Sequence, residues 1–93
     1  GKKLTLKPLD EIKSKYYLRI NVNDKAGVLA KITKIFEEYN ISVETMLQRQ
    51  SSNKSANLLI STHTAIEKDI QAMLNKLEDL SFINSRPVMI RIL

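Results

Sequence analysis

Ninety-three residues with 43% hydrophobic content bound the chain to one small soluble domain, whose limited core leaves room for help from a second copy. The lack of cysteine excludes disulfides, thiolate nucleophiles and cysteine-held metal or iron–sulfur centres. No apolar run nears the roughly 20 residues that span a bilayer, and no signal-peptide core is present, so the expected setting is the cytoplasm with no membrane partner. The net charge of +5 suggests nucleic acid until it is divided: residues 1–15 hold five lysines against Asp10 and Glu11, leaving only +2 for residues 16–93.

Residues 1–15 combine charges and Pro8 without a helical stripe, which predicts a connector. Within it Leu4 and Leu6, followed by Pro8, fit a short extended segment that docks elsewhere. The folded unit is expected from Tyr16 to Leu93. Its first strand, 16–22, places Leu18, Ile20 and Val22 on one face at period two. A helix over 26–39 follows, with Leu29, Ile32, Ile35, Phe36 and Tyr39 on one stripe.

The next strand, 41–50, alternates Ile41, Val43, Thr45 and Leu47 with Ser42, Glu44, Met46 and Gln48. Through the turn Ser51-Ser52-Asn53-Lys54 it forms a hairpin with strand 55–62. A second helix is expected over 65–80, with Ile66, Ile70, Met73, Leu74, Leu77 and Leu80 on its stripe. Thr64 is its expected N-cap, and Glu67 completes a capping box. The last strand, 87–93, alternates Val88, Ile90 and Ile92 with Met89, Arg91 and Leu93, and Pro87 at its start loses no interior ladder bond.

The order βαββαβ, with right-handed crossovers, predicts an α+β ferredoxin-like sandwich: a four-stranded antiparallel sheet with both helices on one face. The other face is expected to carry Tyr17, Arg19, Met46, Leu59, Met89 and Leu93. That set is too apolar to be left wholly to water.

The junction Asp24-Lys25-Ala26-Gly27-Val28-Leu29 joins the first strand to the first helix and holds the one internal glycine. A helix N-terminus exposes backbone N–H groups and the positive end of the helix dipole, which suits a small anion such as a carboxylate. The plain alternative is that Asp24 caps the helix and Gly27 permits a tight turn.

Four stretches together resemble the ACT domain, a small amino-acid-binding regulatory module, in the form found at the C-terminus of homoserine dehydrogenases. They are Tyr16-Tyr17-Leu18-Arg19; Asp24 with Gly27-Val28-Leu29; Thr62-His63 with Glu67; and Val88-Met89-Ile90-Arg91-Ile92. The resemblance implies a ligand held between this turn in one copy (Asp24, Lys25, Ala26, Gly27, Val28 and Leu29) and the start of the second strand (Ile41 and Ser42) in a neighbouring copy, hence a homodimer. In that arrangement Asp24 accepts hydrogen bonds from an α-ammonium, N–H groups of Gly27 to Leu29 take the α-carboxylate, and Ser42 adds a side-chain contact. Threonine is the first ligand it implies. Hydride chemistry and its NAD(P) cofactor would belong to a catalytic domain of the same polypeptide outside these residues.

No catalysis and no cofactor are expected within the 93 residues, which hold one histidine and lack the Gly-x-Gly-x-x-Gly fingerprint. His63 is too isolated to form a metal site, so no metal is expected. An RNA-recognition module shares the element order, but the third strand Ser55-Ala56-Asn57-Leu58-Leu59-Ile60 lacks the aromatics on which bases stack, so no nucleic-acid partner is expected. A dimerisation-only module without a ligand shares all the fold evidence and differs in leaving the turn empty.

Overall fold

The first strand rises three residues before its expected start, because residues ahead of Tyr16 also find partners. In the computed structural model, which describes Pro8 and residues 11–92, strand β1 runs Lys13–Asn23. The expected Leu4–Leu6 segment and the placement of Leu93 lie outside the described residues. The remaining elements are α1 (Val28–Glu38), β2 (Val43–Gln50), β3 (Ser55–Thr62), β4 (Ala65–Ile66), α2 (Glu67–Glu78) and β5 (Val88–Ile92).

β1 is central, with Tyr17–Asn23 antiparallel to β3, Lys15–Arg19 antiparallel to β5, and Lys13 and Ser14 paired with Ile66 and Ala65 of β4. β2 closes the far side against β3. The ferredoxin-like arrangement is therefore present, with a two-residue fifth strand added to the expected four.

Both helices share one core with the inner sheet face. Leu18, Ile20 and Val22 of β1 and Leu58 and Ile60 of β3 pack with Ile32, Ile35 and Phe36 of α1 and Ile70, Met73 and Leu77 of α2. The helical stripes place these residues correctly, but Leu29 is 41% exposed while Val28 takes the buried position, and Ile66, expected on the second stripe, lies in β4 ahead of α2.

Three expectations change for physical reasons. The Thr64–Glu67 capping box does not form: residues 65–66 are extended to pair with β1, the N-cap of α2 is Ile66, and no side chain caps it. Glu67 instead points its carboxylate at Arg91, with Nη2 to Oε1 at 2.6 Å.

Met46 and Met89 sit on the core side rather than on the outer face. Leu18 pairs with both Ile60 and Met89, which puts Met89 in phase with the core. A bulge between Val43 and Thr45 shifts the alternation of β2 by one residue. Thr45 and Leu47 consequently face outward, and Met46 and Gln48 turn toward the helices. The outer face thus carries Tyr17, Leu47, Val88 and Ile90 as exposed apolar groups. Among the described residues no helix is long and apolar enough to cross a membrane.

Candidate functional site

The loop from Asn23 to Gly27 is held from both sides. Asn23 N–H donates to the Phe82 carbonyl at 2.9 Å, beyond α2, and Asp24 N–H donates to the Lys54 carbonyl at 2.8 Å, in the β2–β3 hairpin. Lys25 N–H turns back to the Asn23 carbonyl at 3.0 Å. Gly27 then takes φ +86°, the left-handed region that a side chain disfavours, and serves as the N-cap of α1.

Among the described residues no side chain caps this helix, and Asp24 does not act as the plain cap. Its carboxylate lies beside Gln48, whose Nε2 donates to Oδ1 at a long 3.4 Å. Lys31 N–H reaches the Gly27 carbonyl and Val28 N–H the Lys25 carbonyl. The N–H groups of Ala26, Gly27, Leu29 and Ala30 have no backbone partner among the described residues. These are the donors a helix start leaves free, and they carry the positive end of its dipole.

The result is a cavity of about 190 Å³ lined by Asn23 to Leu29 together with Val22, Gln48 and Leu58. At roughly 30 Å³ per water it has room for a small molecule. Every turn residue singled out in the sequence, from Asp24 to Leu29, lines it. Asp24 and Gln48 offer polar side chains at one side, and free backbone donors lie at the helix start. That combination suits a ligand bearing both a cationic and an anionic group, as an α-amino acid does.

Ile41 and Ser42 do not reach this cavity within one chain. They follow the other end of α1, past Asn40 at φ 60°, and line a separate open hollow of about 520 Å³ with Thr33, Phe36, Glu37, Asn40 and Val43. An 11-residue helix is roughly 16 Å long, so the two halves lie at its opposite ends. Ile41 is buried in the core and its N–H is bonded to the Phe36 carbonyl; Ser42 is exposed. Of these two residues only Ser42 offers an exposed side chain, beside the exposed Thr33, Glu37 and Asn40 of the same hollow.

Gln48 escaped the sequence reading. Strict alternation from Val43 assigns it to the outer face, and only the bulge at Val43/Thr45 turns it inward beside Asp24. Leu58, the cross-strand partner of Gln48, was legible as core but not as cavity wall.

His63 is exposed and its N–H is bonded to the Ser42 carbonyl; among the described residues no group of His, Asp and Glu could hold a metal. Ser51, Ser52 and Ser55 hydrogen-bond one another in the hairpin turn. Among the described residues, Tyr17 is the exposed aromatic of the outer sheet face.

Known proteins show the same frame. Residues 16–82 match the family model described as the ACT domain. The homoserine dehydrogenase of Helicobacter pylori is 42% identical over 92 residues, which span 97% of this chain and 22% of that protein. A homoserine dehydrogenase structure from Thiobacillus denitrificans superposes with a TM-score of 0.79 at 31% identity, over 90% of this chain and 18% of that one.

The ACT domain of GTP pyrophosphokinase from Chlorobium tepidum, solved by itself, superposes with a TM-score of 0.66 at 14% identity over 87% of this chain and 100% of that one. The chain spans about a fifth of the length of the curated relatives it matches. A central β1 entering a glycine-turned helix, two helices on one sheet face and a family match over 16–82 lead to one assignment: the chain belongs to the ACT domain family.

Proposed function

We propose that this chain is the amino-acid-sensing regulatory domain of a homoserine dehydrogenase and that threonine binds it at the boundary between two copies. The observation that carries the reading is the cavity at the β1–α1 turn, lined by Asp24 and Gln48 together with Ala26, Gly27 and Leu29, whose N–H groups have no backbone partner among the described residues. The likeness to homoserine dehydrogenases over nearly the whole chain supports the choice of parent enzyme. These residues lack a glycine-rich phosphate cradle and do not fit NAD(P), which is assigned to the rest of such an enzyme.

In the site, the α-carboxylate takes the helix-start donors of one copy and the α-ammonium takes Asp24. Ser42 of the second copy closes the ligand from the other side. Regulation follows by linkage: threonine favours the paired arrangement, and that arrangement alters the catalytic domain by the same free energy with which the catalytic state alters threonine affinity.

The test is calorimetry of each proteinogenic amino acid with the chain, with light scattering run in parallel. Saturable heat from threonine, accompanied by a dimer, is the expected result. A stable dimer that binds no amino acid would reassign the chain to subunit pairing alone.

A further inference from the structure

Three of the four stretches that carry the family resemblance meet away from the ligand turn, at the opposite end of β1. Tyr16 N–H donates to Thr62 Oγ1 at 3.1 Å. The Tyr16 ring is buried, and its hydroxyl lies beside Glu67 and Arg91 with no hydrogen-bond partner among the described residues. The Glu67 side chain is 2% exposed and bonded to Arg91, whose own side chain is 43% exposed. Glu67 also donates its N–H to the Ile12 carbonyl at 2.8 Å, and Ser14 Oγ donates to the Ile92 carbonyl at 2.5 Å.

Residues 12–15 are thereby tied to α2 on one side and β5 on the other. Lys15 is held in the ladder to β5, but ahead of it the pairing is slight, since β4 contributes two residues and so short a pairing is marginal by itself. A buried ion pair seldom adds net stability over apolar packing, because desolvation offsets its Coulomb gain. Its distinctive effect is geometric: the carboxylate ties the start of α2 to Arg91 of β5, and so sets the position from which the Glu67 backbone N–H holds the Ile12 carbonyl.

We propose that the Glu67–Arg91 pair is a lock that fixes residues 12–15 to the domain, so that the segment leading into β1 and the ligand turn at its far end move as one body. β1 is continuous from Lys13 to Asn23, about 33 Å at strand rise, and joins the two sites directly. The regulatory consequence rests on the amino-acid-sensing reading above; the lock does not. When the lock is closed, a change at the turn is delivered to the incoming segment, and when it is open the segment is free of the domain.

Glu67→Gln keeps the side-chain volume and removes the charge. Hydrogen exchange on this chain should then show the amides of residues 13–16 and of Glu67 exchanging at least tenfold faster, with those of Ile20 and Leu58 unchanged. Arg91→Lys, which keeps the charge beside an intact Glu67, should retain most of the protection, and Arg91→Gln, which opens the pair from its partly exposed side, should reproduce the faster exchange at residues 13–16 if Glu67→Gln fails to fold. In the complete enzyme, Glu67→Gln should still bind threonine while losing the effect of threonine on activity. Unchanged exchange at 13–16, or equal acceleration at Ile20 and Leu58, would overturn the lock. Loosened exchange with an intact threonine response would overturn its coupling role. Failure of the wild-type enzyme to bind threonine would remove the sensing reading and leave the exchange result to decide the lock.

Discussion

Gly27 holds φ at +86° with open space where a Cβ would stand, so a substitution there meets conformational strain rather than a clash. Gly27→Ala is expected to cost about 1–2 kcal/mol, read as a lowered Tm, and to weaken amino-acid binding by placing a methyl group in the cavity. Tyr16 makes the opposite case. Its buried hydroxyl has no hydrogen-bond partner among the described residues, so Tyr16→Phe should leave stability unchanged or raise it by about 1 kcal/mol in urea unfolding.

Burial, and next the Glu67 charge, push the Tyr16 phenol above its ordinary value. As pH rises past about 10 the unfolded chain gives up this proton first, so stability falls from there upward and is unaffected below. Tyr16→Phe should remove that part of the alkaline loss, measured as the difference between the two pH profiles. Arg91 is held charged still more firmly than usual by its hydrogen bond to Glu67. Arg91→Gln, which strands a buried carboxylate, should therefore destabilise more than Glu67→Gln, which strands a guanidinium that reaches water.

At the scale of elements, the helical stripes were readable because an amphipathic helix must present its apolar residues every three or four positions to the sheet. Ile70, at 0% exposed in α2, fits that pattern, and Ile70→Ala should cost about 2–5 kcal/mol in chemical unfolding. Leu29 lies on the same kind of stripe in α1 and yet faces water at the cavity rim, so Leu29→Ala should cost under about 1 kcal/mol. The stripe misplaces Leu29 because α1 begins only at Val28, and in that first turn Val28 fills the buried position.

The strands were harder to phase. In β2 and β5 both alternating sets contain apolar residues, so period two gives a strand without saying which set is inside. Pairing of Leu18 with Met89 decides β5, and the bulge decides β2. The short β4 was hidden by a convincing capping sequence, Thr64 to Glu67. A local cap contributes about 1 kcal/mol, and here it yields to pairing with β1 and the ion pair to Arg91.

For the whole molecule, the two candidate half-sites stand at opposite ends of α1, so a single chain leaves each incomplete under the sensing reading. Ser42 is exposed, and Ser42→Lys should change the stability of the isolated fold by less than about 0.5 kcal/mol. The same change should abolish threonine binding by introducing a bulky cation at the boundary, which calorimetry reads directly. Asp24→Ala should also abolish binding while light scattering finds association unchanged. The outer sheet face, with Ile90 at 60% and Tyr17 at 54% exposed, lies apart from both half-sites.

By itself the sequence determined the order of the four longer strands and two helices, their shared core, and the turn Asp24 to Leu29, because each follows from local periodicity or from a glycine between strand and helix. Tertiary structure decided what depends on partners distant along the chain. The bulge that turns Gln48 to Asp24, the pairing that extends β1 back to Lys13, and the meeting of Tyr16, Glu67 and Arg91 arise from strand register and ion pairing between residues far apart in the chain, and no local pattern encodes them.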